Sequence, residues 1–171
     1  MAVFFDHKHV FNLILYGNCF TLAALNQRDD IMNIDKFKHQ HADILGAIAG
    51  LRKLVQTGIA EHAADIAARI VAMSGVIKLH LAVEDRTLYP ALEASGDLAL
   101  ARMSAHYRGE MDGISGAYLA FAAKWNTPRQ LAAQPEVFRD EANVVLKVLY
   151  ERMKKEDREF YPAIEAAAVA A

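Results

Sequence analysis

The sequence predicts an all-α fold, an antiparallel up-down-up-down four-helix bundle with an extra N-terminal segment. Composition is the first ground. Of 171 residues 54% are apolar, alanine and leucine are frequent, and only four are proline. Such a mixture favours helices over a sandwich or barrel. Periodicity is the second: apolar residues recur every three or four positions along four long stretches, as on the buried face of an amphipathic helix. Connection length is the third, because short links between long helices make successive helices antiparallel neighbours. The chain suits one domain with a substantial core.

The first 31 residues stand apart. Val10 to Leu25 is apolar but interrupted by Asn12, Gly17, Asn18 and Thr21. It falls short of the roughly 20 clean apolar residues of a membrane span. Lys8 before it and Ala23-Ala24 after it would suit a secretory leader, but the charged flank is weak and contains Asp6. The expected reading is an accessory segment, or an over-long start, at 1–31. Met32 then opens a bundle domain running from 32 to 168.

Asp35 is expected to cap a first helix that reaches about Thr57 and stops at Gly58. Its stripe is Phe37, His41, Ile44, Ile48, Leu51 and Val55. A second helix covers about 60–89, with Ile66, Ile70, Met73, Ile77, His80, Glu84 and Leu88 on one face. Pro90 and Ser95-Gly96-Asp97 close it. Asp97 caps a third helix to about Trp125, whose shared face reads Leu100, Met103, His106, Glu110, Ile114, Ala117 and Phe121. Asn126-Thr127-Pro128 breaks the chain. Pro135 begins a fourth helix to about Tyr161, with the stripe Phe138, Glu141, Val145, Val148, Arg152, Glu156 and Phe160.

A formal charge of −2 leaves no basic footprint for nucleic acid, and no clean span points to a membrane. Cys19 is the one cysteine, which excludes an internal disulfide and a CxxC site, so a reducing, cytoplasmic setting is expected. No Ser-His-Asp set or phosphate-cradling glycine loop suggests another chemistry.

Two stretches nearly repeat each other. His80 to Pro90 and Arg152 to Pro162 both read x-x-x-x-Glu-Asp-Arg-x-apolar-Tyr-Pro, and Arg152 stands where the first copy has His80. On antiparallel helices His41, His80, Glu84, His106, Glu110 and Glu156 fall at one end of the bundle, within roughly 10 Å along the axis at about 1.5 Å per residue. Burying unpaired histidines and carboxylates costs several kcal/mol unless something compensates, and a bound cation is the simplest compensation. Glu110 follows His106 by one turn, a spacing that lets two side chains share an ion. His62, His39 and the His7-x-His9 pair lack this convergence and read as ordinary rim or surface histidines. Tyr89 and Tyr161, each before a proline, read as packing residues with a hydroxyl partner or as supports behind the ligands.

Imidazole mixed with carboxylate suits iron, manganese or zinc, and the absence of thiolate argues against copper(I) and iron–sulfur centres. Bundles with one carboxylate or histidine from each helix are a di-iron and di-manganese design. The pattern His41, His80-x-x-x-Glu84 with Leu88-Tyr89-Pro90, His106, and Glu156 with Phe160-Tyr161-Pro162 resembles the hemerythrin-like, HHE cation-binding family over about Met32 to Glu165. That resemblance implies a four-helix bundle holding a non-haem di-iron centre, in a family whose members carry or sense oxygen, store or sense iron, or respond to nitric oxide and peroxide. It also assigns His41, His80, Glu84, His106, Glu110 and Glu156 as the matching ligand positions.

The departure from the family's pattern is Arg152, where another histidine is usual. Arginine cannot lose its proton to become a ligand. It would swing aside and free a coordination position, or pair with Glu156, Glu84 or Glu110, or mark the loss of a second ion. Three functions follow from these outcomes. The first expected is a non-enzymatic site for a diatomic ligand or redox signal. The others are a peroxide- or nitric-oxide-processing enzyme, and a regulatory bundle in which Arg152–Glu pairs replace the metal.

Overall fold

The computed structural model describes residues 34–170, so the segment 1–31 and the domain start at Met32 lie outside the described residues. Regular structure among the described residues is helical throughout. It comprises α1 (Ile34–Thr57), α2 (Ala63–Val83), α3 (Tyr89–Glu93), α4 (Leu98–Lys124), α5 (Pro128–Ala133), α6 (Pro135–Lys155) and α7 (Tyr161–Ala170). A π-helical turn, Glu84–Leu88, joins α2 to α3, and a second, Glu156–Phe160, joins α6 to α7. Helix α1 packs on α2, α2 on α4, α4 on α6 and α6 back on α1, which closes a ring.

Several ends form as the residue chemistry requires. Gly58 takes φ 130° just after α1, a conformation that side chains with a Cβ avoid. Asp97 caps α4, its Oδ1 accepting from the amides of Ala99 (2.8 Å) and Leu100 (3.1 Å). Asp35 lies inside the first turn of α1, where its charge favours the helix N-terminus without capping it. After the break at Asn126-Thr127-Pro128, the short α5 inserts Leu131, fully buried, beneath α2.

Pro90 does not end its helix. The chain stays helical to Glu93 because the π-helical turn intervenes: the amide of Tyr89 donates to the carbonyl of Glu84, five residues back. The wider turn lets the proline enter α3 near its start, where a missing N–H is tolerated. Both copies of Glu-Asp-Arg-x-apolar-Tyr-Pro form such a turn, and in both the Glu carbonyl accepts from the Tyr amide. In an α-helix five residues turn through about 500°, which would leave each Tyr about 140° from its Glu. The extra residue in the π-turn brings them to the same side, and Glu84, Tyr89, Glu156 and Tyr161 are all buried.

The stripes of α1 and α2 fall where periodicity places them: Phe37, His41, Ile44, Ile48 and Leu51, then Ile66, Ile70, Met73, Ile77, His80, Glu84 and Leu88, are buried. Two expected stripes need correction. The inward face of α4 is Leu100, Ser104, Tyr107, Met111, Tyr118 and Phe121, one position round from the expected run through His106 and Glu110. The inward face of α6 is Phe138, Ala142, Leu146, Leu149, Arg152 and Met153, whereas Val148 is exposed. In both helices a step of one residue, about 100°, turns the alternative set outward.

The core has two apolar blocks. One gathers Ile44, Ile48, Ile77, Met111, Leu149 and Met153 with the residues beyond them toward Trp125. The other gathers Phe37, Leu88, Tyr89, Tyr107, Phe160 and Tyr161. Along α1, α2 and α6 the buried polar residues His41, His80, Glu84, Arg152 and Glu156 fall between members of the two blocks. The stretch Ala63–Glu93 is long and apolar enough to cross a membrane by length and composition alone. Here its stripe is core, and it carries His80 and Glu84 into the polar layer.

Candidate metal centre

Helix α1 delivers His41, α2 delivers His80, and the two π-turns open on Glu84 and Glu156. All four side chains are fully buried. One ligand atom from each lies within 4.8 Å of those of the others, an arrangement that could hold a metal ion. His80 and Glu84 sit one helical turn apart with Nε2 and Oε2 at 3.6 Å, and His41 Nε2 lies 3.4 Å from Glu156 Oε2.

The outer nitrogens of both rings are fixed. His41 Nδ1 lies 2.6 Å from Asp157 Oδ1, and His80 Nδ1 lies 3.0 Å from Gln40 Oε1. A carboxylate and an amide oxygen only accept, so each Nδ1 carries the proton and each Nε2 is left bare. Those two Nε2 atoms face each other at 3.0 Å. Two lone pairs at that distance repel unless a proton or cation lies against them. A carboxylate behind a metal-binding imidazole is a recurrent support that orients the ring and raises its basicity.

Protons are not favoured on the rings. Burial, reinforced for His41 by the neighbouring His80, holds both imidazoles down at about 4. Burial pushes Glu84 up to about 7. Burial and then the charge of Glu84 push Glu156 up to about 8, against the pull of Arg152. Without a cation the layer therefore resists its own charges, and a dication would reverse that balance. Glu156 Oε2 is buried with no hydrogen-bond partner. Buried polar atoms are rarely left unpaired. The orphaned oxygen, the bare nitrogens and the mixed donor set all fit a bound cation.

The tyrosines close the layer from the second apolar block. Tyr161 donates its hydroxyl to Glu84 Oε1 (2.9 Å) and lies 3.2 Å from His41 Nε2. Tyr89 donates to Glu84 Oε2 at 3.3 Å. Burial raises both phenols far above their ordinary value, so both stay protonated donors in the metal-free site.

Arg152 takes the second of the outcomes open from sequence. Its Nε donates to Glu156 Oε1 at 2.6 Å and its Nη1 to Glu110 Oε2 at 3.0 Å. Its Nη2 donates to the carbonyl of Tyr107 at 2.7 Å, and the guanidinium lies 4.4 Å over the Tyr107 ring. Glu110 is thus brought to Arg152 and not to the four donors. His106 is turned outward, its side chain 60% exposed, with Nε2 3.3 Å from Glu110 Oε1. Neither joins the cluster, because Tyr107 occupies the inward position of that turn of α4.

Asp157 and Gln40 were not legible as supports. Asp157 had one signal, its place in the repeat, but its counterpart Asp85 pairs with Arg108 on the surface at 3.1 Å. Gln40 had none. No curated protein and no solved structure matches the chain. The model of the hemerythrin HHE cation binding domain matches residues 32–164, and the chain belongs to that family.

Proposed function

We propose that this protein binds iron through His41, His80, Glu84 and Glu156 on an up-down-up-down bundle, and presents it to a small diatomic ligand or to redox change. The observation behind this reading is the set of four buried donors within 4.8 Å of one another. Family membership points to iron, and two imidazoles with two carboxylates are a donor set that iron accepts, with manganese and zinc as alternatives. An iron ion so held would supply a coordination position for oxygen or nitric oxide and a one-electron change of state.

The chain's own residues set the terms. Asp157 and Gln40 hold the imidazoles so that Nε2 faces inward. Tyr161 and Tyr89 hold both oxygens of Glu84. The donors have no exposed surface, so a reaction on a bulky substrate is disfavoured and a ligand of two or three atoms is favoured. We therefore read the site as binding or sensing rather than enzymatic, in a soluble, cytoplasmic protein.

One observation favours a second reading. Arg152 already neutralises Glu156 and Glu110, as a metal-free regulatory bundle would require. Against it stand the partnerless Glu156 Oε2 and the facing Nε2 atoms. Elemental analysis of purified protein, beside His80→Ala, decides between them. Stoichiometric metal lost in the variant supports the binding site. Substoichiometric metal in both, with melting unchanged by a chelator, would leave the regulatory reading.

A further inference from the structure

We infer that the layer is built for a single metal ion, and that the guanidinium of Arg152 occupies the place of a second cation. This rests on the metal reading above and narrows it. Glu156 carries the geometry: Oε1 accepts from Arg152 Nε at 2.6 Å, while Oε2 turns to the other side, 3.4 Å from His41 Nε2. The carboxylate thus faces two places that a cation could take, as a bridging carboxylate faces two ions. One of those positions is already filled by a charge that cannot be removed, because arginine keeps its proton throughout the accessible pH range.

Nothing around Arg152 lets it leave. All three nitrogens are engaged, by Glu156, Glu110, the Tyr107 carbonyl and, at 3.4 Å, the hydroxyl of Tyr89. Its side chain is 2% exposed and the guanidinium lies over the Tyr107 ring at 4.4 Å. A second dication would have to sit beside this fixed charge in a layer shut off from water, where like charges repel strongly. Its donors would also be missing. Glu110 is committed to Arg152 and Lys155, and His106 is on the surface.

The test loads full-length protein with manganese(II), then measures metal per chain and the electron paramagnetic resonance spectrum. One ion per chain with the resolved hyperfine pattern of an isolated ion is expected. Two ions per chain, or an exchange-coupled spectrum, would overturn the inference while leaving metal binding intact. Binding of no ion at all would refute the metal reading itself and this inference with it. Arg152→His, checked for helicity by circular dichroism, supplies the converse. The folded variant is expected to take up twice the metal and to show exchange coupling, and a folded variant that still holds one isolated ion refutes the role of the guanidinium. If that variant does not fold, the wild-type stoichiometry and spectrum decide alone.

Discussion

Metal binding should eject protons from this site, and the number follows from the buried carboxylates. In the metal-free layer Glu84 titrates at about 7 and Glu156 at about 8, values that belong to the pair as a unit. Near pH 7 the pair therefore holds protons that a cation must displace, while the imidazoles, held down at about 4, carry essentially none. A cation takes the carboxylates as anions. Together they should release about one to two protons per ion near pH 7, more at pH 6 and fewer at pH 8. By linkage the affinity should rise with pH, by roughly tenfold or more between pH 6.5 and 7.5. Calorimetric titration with zinc in two buffers of different ionisation heat measures the release directly. A value near zero at pH 7 would mean that the carboxylates are already ionised, or that they do not meet the ion, and either result sinks the reasoning. Glu84→Gln should lower the release at pH 7, because it removes one protonated carboxyl and also the neighbouring charge that raises Glu156.

Three further outcomes follow from the same contacts. Metal-free protein should be most heat-stable near pH 5 to 6: the raised carboxylates contribute stability that is lost as pH rises from their unfolded value toward about 8, and the lowered imidazoles contribute stability that is lost as pH falls from 6.5 toward about 4. Thermal melts across pH check this, and a maximum above pH 8 would contradict it. Asp157→Asn weakens the hold on His41 Nδ1 and should reduce metal affinity by about 10- to 100-fold in a competition titration. His106→Ala, on an exposed side chain, should leave metal content unchanged and stability within about 0.5 kcal/mol by denaturant titration. Loss of metal there would restore His106 to the site.

The helical class, the turn glycine and the buried faces of α1 and α2 were legible because a repeating apolar stripe decides them. So were His41, His80, Glu84 and Glu156, which sit on stripes that the large residues on either side hold inward. The face of α4 was not legible at His106. There the sequence offers His106 and Tyr107 side by side, with Met103, Ser104, Glu110 and Met111 compatible with either register. Burying Tyr107 against Phe160, with ring centroids 4.5 Å apart, and beneath Arg152 settles it. That contact joins residues from distant parts of the chain, and no local period records it. The same limit hid Asp157 and Gln40, whose roles depend on which ring lies opposite.

The repeated Glu-Asp-Arg-x-apolar-Tyr-Pro is informative for a reason that spacing alone does not reveal. An ordinary helix ahead of each proline would turn Tyr89 and Tyr161 away from the glutamates five residues before them. The π-turns bring them back, so each copy aims a glutamate and a phenol into one layer. The copies then diverge in use. Tyr161 crosses to Glu84 of the other copy, at 2.9 Å, while Glu156 gives one oxygen to Arg152 and keeps one without a partner. Glu84 is therefore held at both oxygens by phenols that a cation would have to outcompete, whereas Glu156 has an oxygen already free. Two sequence copies make two unequal carboxylates, and the inequality begins at the one position, His80 against Arg152, where the copies disagree. A symmetric pair of ions needs symmetric carboxylates; this layer does not supply them.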